Sequence, residues 1–162
     1  MTSQPPLTAR DEALDMPSRW VHALDHRRWP ELRALMTEDF SYRYADGAHP
    51  EQTWFSGAEE SVRRLQDIAD GVLAVQHYLA NPLVAIAEDT ASVSVYDLAF
   101  IAPRGIAEGE LVRTVGGVWT FGLRRVQDRW LIESLLSEQA IQSPWINDLS
   151  SYPPRGPHTG EE

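Results

Sequence analysis

Cysteine is absent from the 162 residues. No disulfide framework, thiolate nucleophile or thiolate metal site can therefore form. Lysine is absent as well, since all 14 Lys/Arg positions are arginine, which excludes Schiff-base chemistry on a lysine amine. No apolar run approaches the roughly 18–20 residues that span a bilayer. The opening Met1-Thr2-Ser3-Gln4-Pro5-Pro6 lacks the basic start and apolar core of a secretory signal, so a cytoplasmic location is expected. Positive charge is scarce, and the net charge is −10. Binding phosphates needs a basic face, so neither nucleic acid nor an anionic membrane surface is an expected partner. What remains is 43% apolar and 23% charged, the balance of a folded globular chain. The length suits one domain with a full core.

Residues 1–10 are polar and proline-containing and read as a flexible N-terminus. Residues 11–142 read as a single domain. Residues 143–162 carry four prolines and few apolar groups after Trp145, and read as a tail with a disordered end. From Asp11, the spacing of Ala13, Leu14, Trp20, Val21 and Leu24 predicts a helix, with Pro17 placed near its first turn or at a bend. Pro30 starts a second helical piece with Leu32, Leu35 and Met36 as its stripe, ended by Thr37-Glu38-Asp39. Phe40–Tyr44 alternates as a strand does, and 45–55 reads as a loop with Asp46-Gly47 as a turn signal. A third helix follows Ser56 or Gly57, with Val62, Leu65, Ile68 and Ala69 as its apolar face, and Gly71 closes it. Four strands then follow: Val75–Ala87 interrupted by Pro82, Ala91–Ile101, Leu111–Val126 with a bend or bulge at Gly116-Gly117, and Trp130 to about Ile141. The order predicts an α+β fold, a curved mixed or antiparallel sheet wrapped around the N-terminal helices. Such a sheet makes a cone-shaped barrel with an apolar pocket inside.

Two polar residues stand in apolar surroundings. Asp25 lies near the end of the first helix, and His77 lies at the start of a strand. A carboxylate that accepts from one imidazole nitrogen fixes the tautomer and leaves the other nitrogen free as a base. Tyr44 and Tyr42 share one side of the first strand. Asp97 shares a strand face with Val93, Val95 and Ala99, where burial would raise a carboxyl's pKa. Trp119, Phe121 and Leu123 share a face that can pack the core or wall a pocket, with Arg113 on the same parity. Asp97, Trp119, Phe121 and Tyr78 are the candidate pocket residues. His22 and His26 are four apart on a helix, but no third ligand converges on them, so no metal is expected.

Several segments, in this order and spacing, resemble the nuclear transport factor 2-like superfamily, and within it the SnoaL-like proteins and scytalone dehydratases. They are Ala23-Leu24-Asp25-His26-Arg27-Arg28-Trp29-Pro30, Thr37-Glu38-Asp39-Phe40-Ser41-Tyr42, Val75-Gln76-His77-Tyr78-Leu79-Ala80-Asn81-Pro82, Val115-Gly116-Gly117 and Asp128-Arg129-Trp130. The resemblance covers about residues 12 to 140. It implies that Asp25 orients His77 and that Tyr44 polarises a substrate carbonyl through a water. The chain departs from scytalone dehydratase in three places. Leu24 stands where that family has a tyrosine, Thr114-Val115-Gly116-Gly117 holds no second histidine, and a pocket asparagine falls at about Trp119.

The expected function is a cofactor-independent acid–base enzyme, a dehydratase, isomerase or cyclase, acting on a small cyclic or polyketide-like carbonyl compound. The competing expectation is a non-catalytic ligand-binding or assembly protein of the same fold, such as a ring-hydroxylating dioxygenase small-subunit-like protein. The long strands carry apolar residues on both parities, among them Val93, Leu98, Phe100 and Leu135. An apolar outer sheet face predicts a homodimer or homotrimer.

Overall fold

The computed structural model describes residues 8–46, 49–104 and 113–142. Helix α1 spans Ala9–Asp25 and is capped by Thr8. The Thr8 Oγ1 accepts from the Asp11 backbone N–H, and the Asp11 carboxylate accepts from the Thr8 backbone N–H in return. This reciprocal pair satisfies two otherwise orphaned donors and starts the helix two residues before the expected position. Pro17 lies inside α1, and the helix continues past it to Asp25. The chain then turns at Arg27, whose φ of 55° lies in the left-handed region. The Arg27 guanidinium donates to the carbonyls of Ala69 and Val72, which fastens the end of α1 beside the next helix–strand junction.

Helix α2 is short, Trp29–Ala34. Strand β1 begins at Met36 and runs to Asp46, so Met36 to Asp39 are strand rather than the end of a helix. Met36 pairs with Ile132, and Ile132 N–H donates to Leu35 O. Tertiary pairing here overrides a helical spacing that α2 could otherwise have continued. The expected loop at 45–55 is also corrected: His49–Ser56 is strand β2, paired antiparallel with β1. It is an edge strand, where Pro50 and polar residues are tolerated. Helix α3, Ala58–Asp70, lies between Gly57 and Gly71 as expected. Strands β3 (Val72–Ala87), β4 (Thr90–Pro103), β5 (Arg113–Val126) and β6 (Arg129–Gln142) complete the chain's described elements.

One six-stranded sheet has the order β2-β1-β6-β5-β4-β3. β1 and β6 run parallel, and every other neighbouring pair is antiparallel. The sheet wraps the helices as an α+β cone. Trp20 of α1, Leu32 of α2, Phe40, Val93, Phe121, Leu123, Ile132 and Leu135 are fully buried between them. Val93 and Leu135 thus belong to the inner parity, whereas Phe100 stands on the outer one. Among the described residues, no helix is long and apolar enough to cross a membrane.

A register shift between β5 and β6 falls at Gly116/Gly117, as the glycine pair predicts. A side chain at Gly117 would overlap the carbonyl oxygen of Glu138 and crowd the Gln139 Cα at 3.0 Å. Neither obstacle is a flexible side-chain end, so the strands must part. Gly117→Ala is expected to destabilise the fold by about 1–3 kcal/mol, the cost of overpacking, read as a lower urea midpoint. An unchanged midpoint would show that β5 and β6 approach less closely than this.

Candidate functional site

The end of α1 carries Asp25 onto the inner side of β3, where His77 faces inward with Val75 and Leu79. The Asp25 carboxylate meets His77 twice. Oδ2 accepts from the His77 backbone N–H at 2.8 Å, and Oδ1 lies 2.5 Å from the ring Nδ1. Both side chains are largely buried, at 9% exposure for His77 and 13% for Asp25. A carboxylate is an acceptor only, so the Nδ1 that faces it is the donor, and in the neutral ring Nε2 then carries the lone pair. Two bonds to one residue fix the ring relative to its own backbone.

Around this pair the sheet register places further groups. His77 lies opposite Ala99, and Leu79 lies opposite Asp97, so Asp97 is a diagonal neighbour of His77. Asp97 is 7% exposed. Its Oδ1 is buried with no hydrogen-bond partner among the described residues. Burial raises its pKa to about 6, against a pull downward from His77 and a push upward from Asp25. On the next strand Asp97 pairs with Gly117, which puts Trp119 on its other diagonal. The Trp119 ring lies 5.1 Å from the His77 ring. His77, Asp97 and Trp119 therefore form one cluster on the inner face.

The other expected site residues lie farther out. Phe121 is fully buried and packs edge-on against both Trp20 and Trp119, so it underlies the cluster as core. Tyr44 faces inward on β1, and Ser137 of β6 separates it from Trp119. Two strand spacings put Tyr44 about 10 Å from Trp119 along the sheet. Its hydroxyl donates to Gln139 Oε1 at 2.6 Å, and its ring stacks on Trp54 at 5.0 Å. Across β5, Gly117 pairs with both Asp97 and Gln139 and contributes no side chain between them.

Tyr78 is corrected. It is 51% exposed and packs edge-on against Phe100 on the outer face of the sheet. Successive strand residues point to opposite faces, so a residue next to inward His77 must point out. Arg113 pairs with Ile101 at the far end of β5. His22 and His26 stack with ring centroids 6.0 Å apart. Among the described residues, no three His, Cys, Asp or Glu side chains come together as metal ligands would.

Trp54 and Gln139 join the inner-face aromatic and amide groups without having been singled out by sequence. Trp54 lies in the strand that the sequence reads as loop. Gln139 follows from parity once β1 is known to pair with β6.

The fold recurs in solved structures. The Kfla4162 protein of Kribbella flavida superposes with a TM-score of 0.74 at 18% identity, covering 83% of this chain and 93% of that one. A scytalone dehydratase candidate from Novosphingobium aromaticivorans gives 0.69 at 19% identity, over 82% and 84% of the two chains. The hexachlorocyclohexane dehydrochlorinase LinA-type3 of Novosphingobium barchaimii LL02 gives 0.68 at 15% identity, over 86% and 92%. No curated protein matches the chain significantly. The model of the SnoaL-like domain matches residues 5–135, most of the chain's length, and the cone built on α1–α3 agrees with it: the chain belongs to the SnoaL-like domain family.

Proposed function

We propose that this protein is a cofactor-independent acid–base enzyme of the dehydratase, isomerase or cyclase kind. His77 Nε2 removes a proton from carbon next to a carbonyl, and Asp25 holds the imidazole in the required tautomer. The observation that carries this reading is the double contact of the Asp25 carboxylate with the His77 backbone and ring. A surface carboxylate beside a histidine has no need of such constraint. The names of two structural neighbours, a dehydratase candidate and a dehydrochlorinase, support elimination as the reaction type. The substrate is a small cyclic or polyketide-like carbonyl compound, lying against Trp119. Tyr44 polarises its oxygen by turning its hydroxyl from Gln139 to a bridging water. The test is a turnover screen of cyclic ketones, hydroxyketones and aromatic polyketides, run in parallel on wild type and His77→Ala. A substrate that both proteins convert equally would refute the mechanism.

The competing reading is a non-catalytic ligand-binding or assembly protein. It draws on Thr114–Gly117, which contains no second histidine. Under that reading His77→Ala changes ligand affinity, and no member of the panel is converted.

We further propose that copies associate through the outer sheet face into a homodimer or homotrimer. Tyr78, Leu83, Tyr96 and Phe100 are exposed together there on β3 and β4. Exposed apolar patches of this kind mark interfaces. Light scattering at micromolar concentration should give a dimer or trimer mass, and a clean monomer would sink the proposal.

A further inference from the structure

The base reading of His77 leaves one buried group without a task. Asp97 sits on the inner face of β4, nine-tenths buried, with Oδ1 unpartnered among the described residues. Its diagonal neighbours are His77 and Trp119, whose rings approach each other across β4. β5 offers only glycine directly opposite it. A buried carboxyl with nothing to bond is costly unless a ligand supplies the partner. An oxygen bound between His77 and Trp119 would do so.

Resting on the proposal that His77 is the base, we infer that Asp97 is the site's proton donor and that the substrates are ring compounds carrying a hydroxyl β to a carbonyl. His77 Nε2 takes the proton from the carbon between the carbonyl and the hydroxyl-bearing carbon. The C–H electron pair becomes the new C=C bond. The C–O bond breaks, and the Asp97 carboxyl proton goes to the departing oxygen, which leaves as water. The enzyme is left with an imidazolium and a carboxylate, and the proton passes from the first to the second to reset the site. No oxidant, reductant or co-reactant is needed. Hydroxide is a very poor leaving group, since water is a far weaker acid than a phenol or a hydrogen halide, so the departing oxygen needs this proton. A phenoxide or halide does not. The donor therefore assigns the site to loss of water from unactivated alcohols.

Burial supports the protonated state by raising the carboxyl to about 6, and His77 of β3 and Asp25 of α1 are the titratable groups that act on it. β5 presents Gly117 and Trp119 there, neither of which titrates.

Two measurements test the inference. The first needs no substrate. Carboxyl-carbon NMR of the full-length protein should show Asp97 titrating near 6 in the wild type and higher in His77→Gln, which removes the downward pull. A carboxyl that titrates near the ordinary 3.8 in both proteins overturns the donor role, whatever is turned over. The second compares loss of water from 3-hydroxycyclohexanone with loss of 4-nitrophenoxide from 3-(4-nitrophenoxy)cyclohexanone, both yielding cyclohexenone. Asp97→Asn is expected to slow loss of water about 10²–10⁴-fold and loss of nitrophenoxide far less. His77→Ala should slow both. If Asp97→Asn slows the two reactions equally, the donor role fails while the base reading stands. If Asp97→Asn slows water loss selectively but His77→Ala slows neither, the base reading fails instead. Failure of the wild type to convert either compound overturns the substrate class and the donor role together.

Discussion

His77→Ala is expected to lower turnover by about 10²–10⁴-fold while leaving the fold intact, the range for loss of a general base. The ring is nearly buried but sits at the inner face of an edge strand, so its removal leaves little core unsupported. Asp25→Asn should cost a large share of the same factor. Asparagine can accept from one of the two His77 donors, but its amide nitrogen cannot accept from the other. The ring then loses its preference for a proton on Nδ1, and a fraction of molecules present Nε2–H to the substrate. Nitrogen NMR of His77 would report that redistribution directly, which a merely structural role for Asp25 would not produce. Because Asp25 works through His77, the double variant should be no slower than His77→Ala alone. Additive losses would show two independent roles. Tyr44→Phe should cost less, since it removes one polarising donor and leaves the base in place.

Asp97→Asn is expected to make the protein more stable, by up to about 3 kcal/mol above neutral pH. The folded-state pKa is raised from 3.8 to about 6, so between those values the folded chain keeps a proton that the unfolded chain has released. A tenfold change in acidity is worth about 1.4 kcal/mol, and the penalty builds as pH rises through the interval. Below about pH 4 both states are protonated and the penalty vanishes. Above about pH 7 the whole penalty is present, because the folded state then holds a buried carboxylate whose Oδ1 has no partner among the described residues. Asparagine has the same shape and no charge. Urea unfolding should therefore show little difference between the two proteins near pH 4 and the largest difference near pH 8. A variant that is less stable than wild type at alkaline pH would mean that the carboxylate is compensated by a partner. Stability gained by removing a charged group from an inner face is the expected signature of a group retained for chemistry.

Much of this architecture is legible in the sequence where local signals are strong. Gly57 and Gly71 bracket α3, and the Gly116-Gly117 pair marks the register shift between β5 and β6, although the extra residue there, Ala140, lies on β6. The inward parity of Asp97 follows from its alternation with Val93, Val95 and Ala99. The misread segments depend on distant partners. Met36 fits the stripe of α2 equally well, and only its pairing with Ile132, almost a hundred residues on, makes it a strand residue. β2 carries a proline and polar groups, so its identity comes from lying beside β1. At the site, the Asp25–His77 contact was expected from the family resemblance, not from spacing, because 52 residues separate the two. Tyr44–Gln139 spans 95 residues and exists through the parallel β1–β6 pairing, which no local pattern announces. Tyr78 is the opposite case, since strand alternation alone already points it away from His77.

The bond from the His77 backbone N–H to Asp25 has a consequence for the sheet as a whole. β3 lies at the end of the strand order, and this N–H points to a helix side chain instead of to β4. An outermost strand with free amides is a template on which another chain can add itself, and unprotected ones invite aggregation. Asp25 occupies one of those amides, and Arg27 takes the carbonyl of Val72 at the start of the same strand. The carboxylate that meets the imidazole thus also takes up one of the edge amides that strand addition would use. Selection for solubility and selection for a fixed base would then act on the same residue.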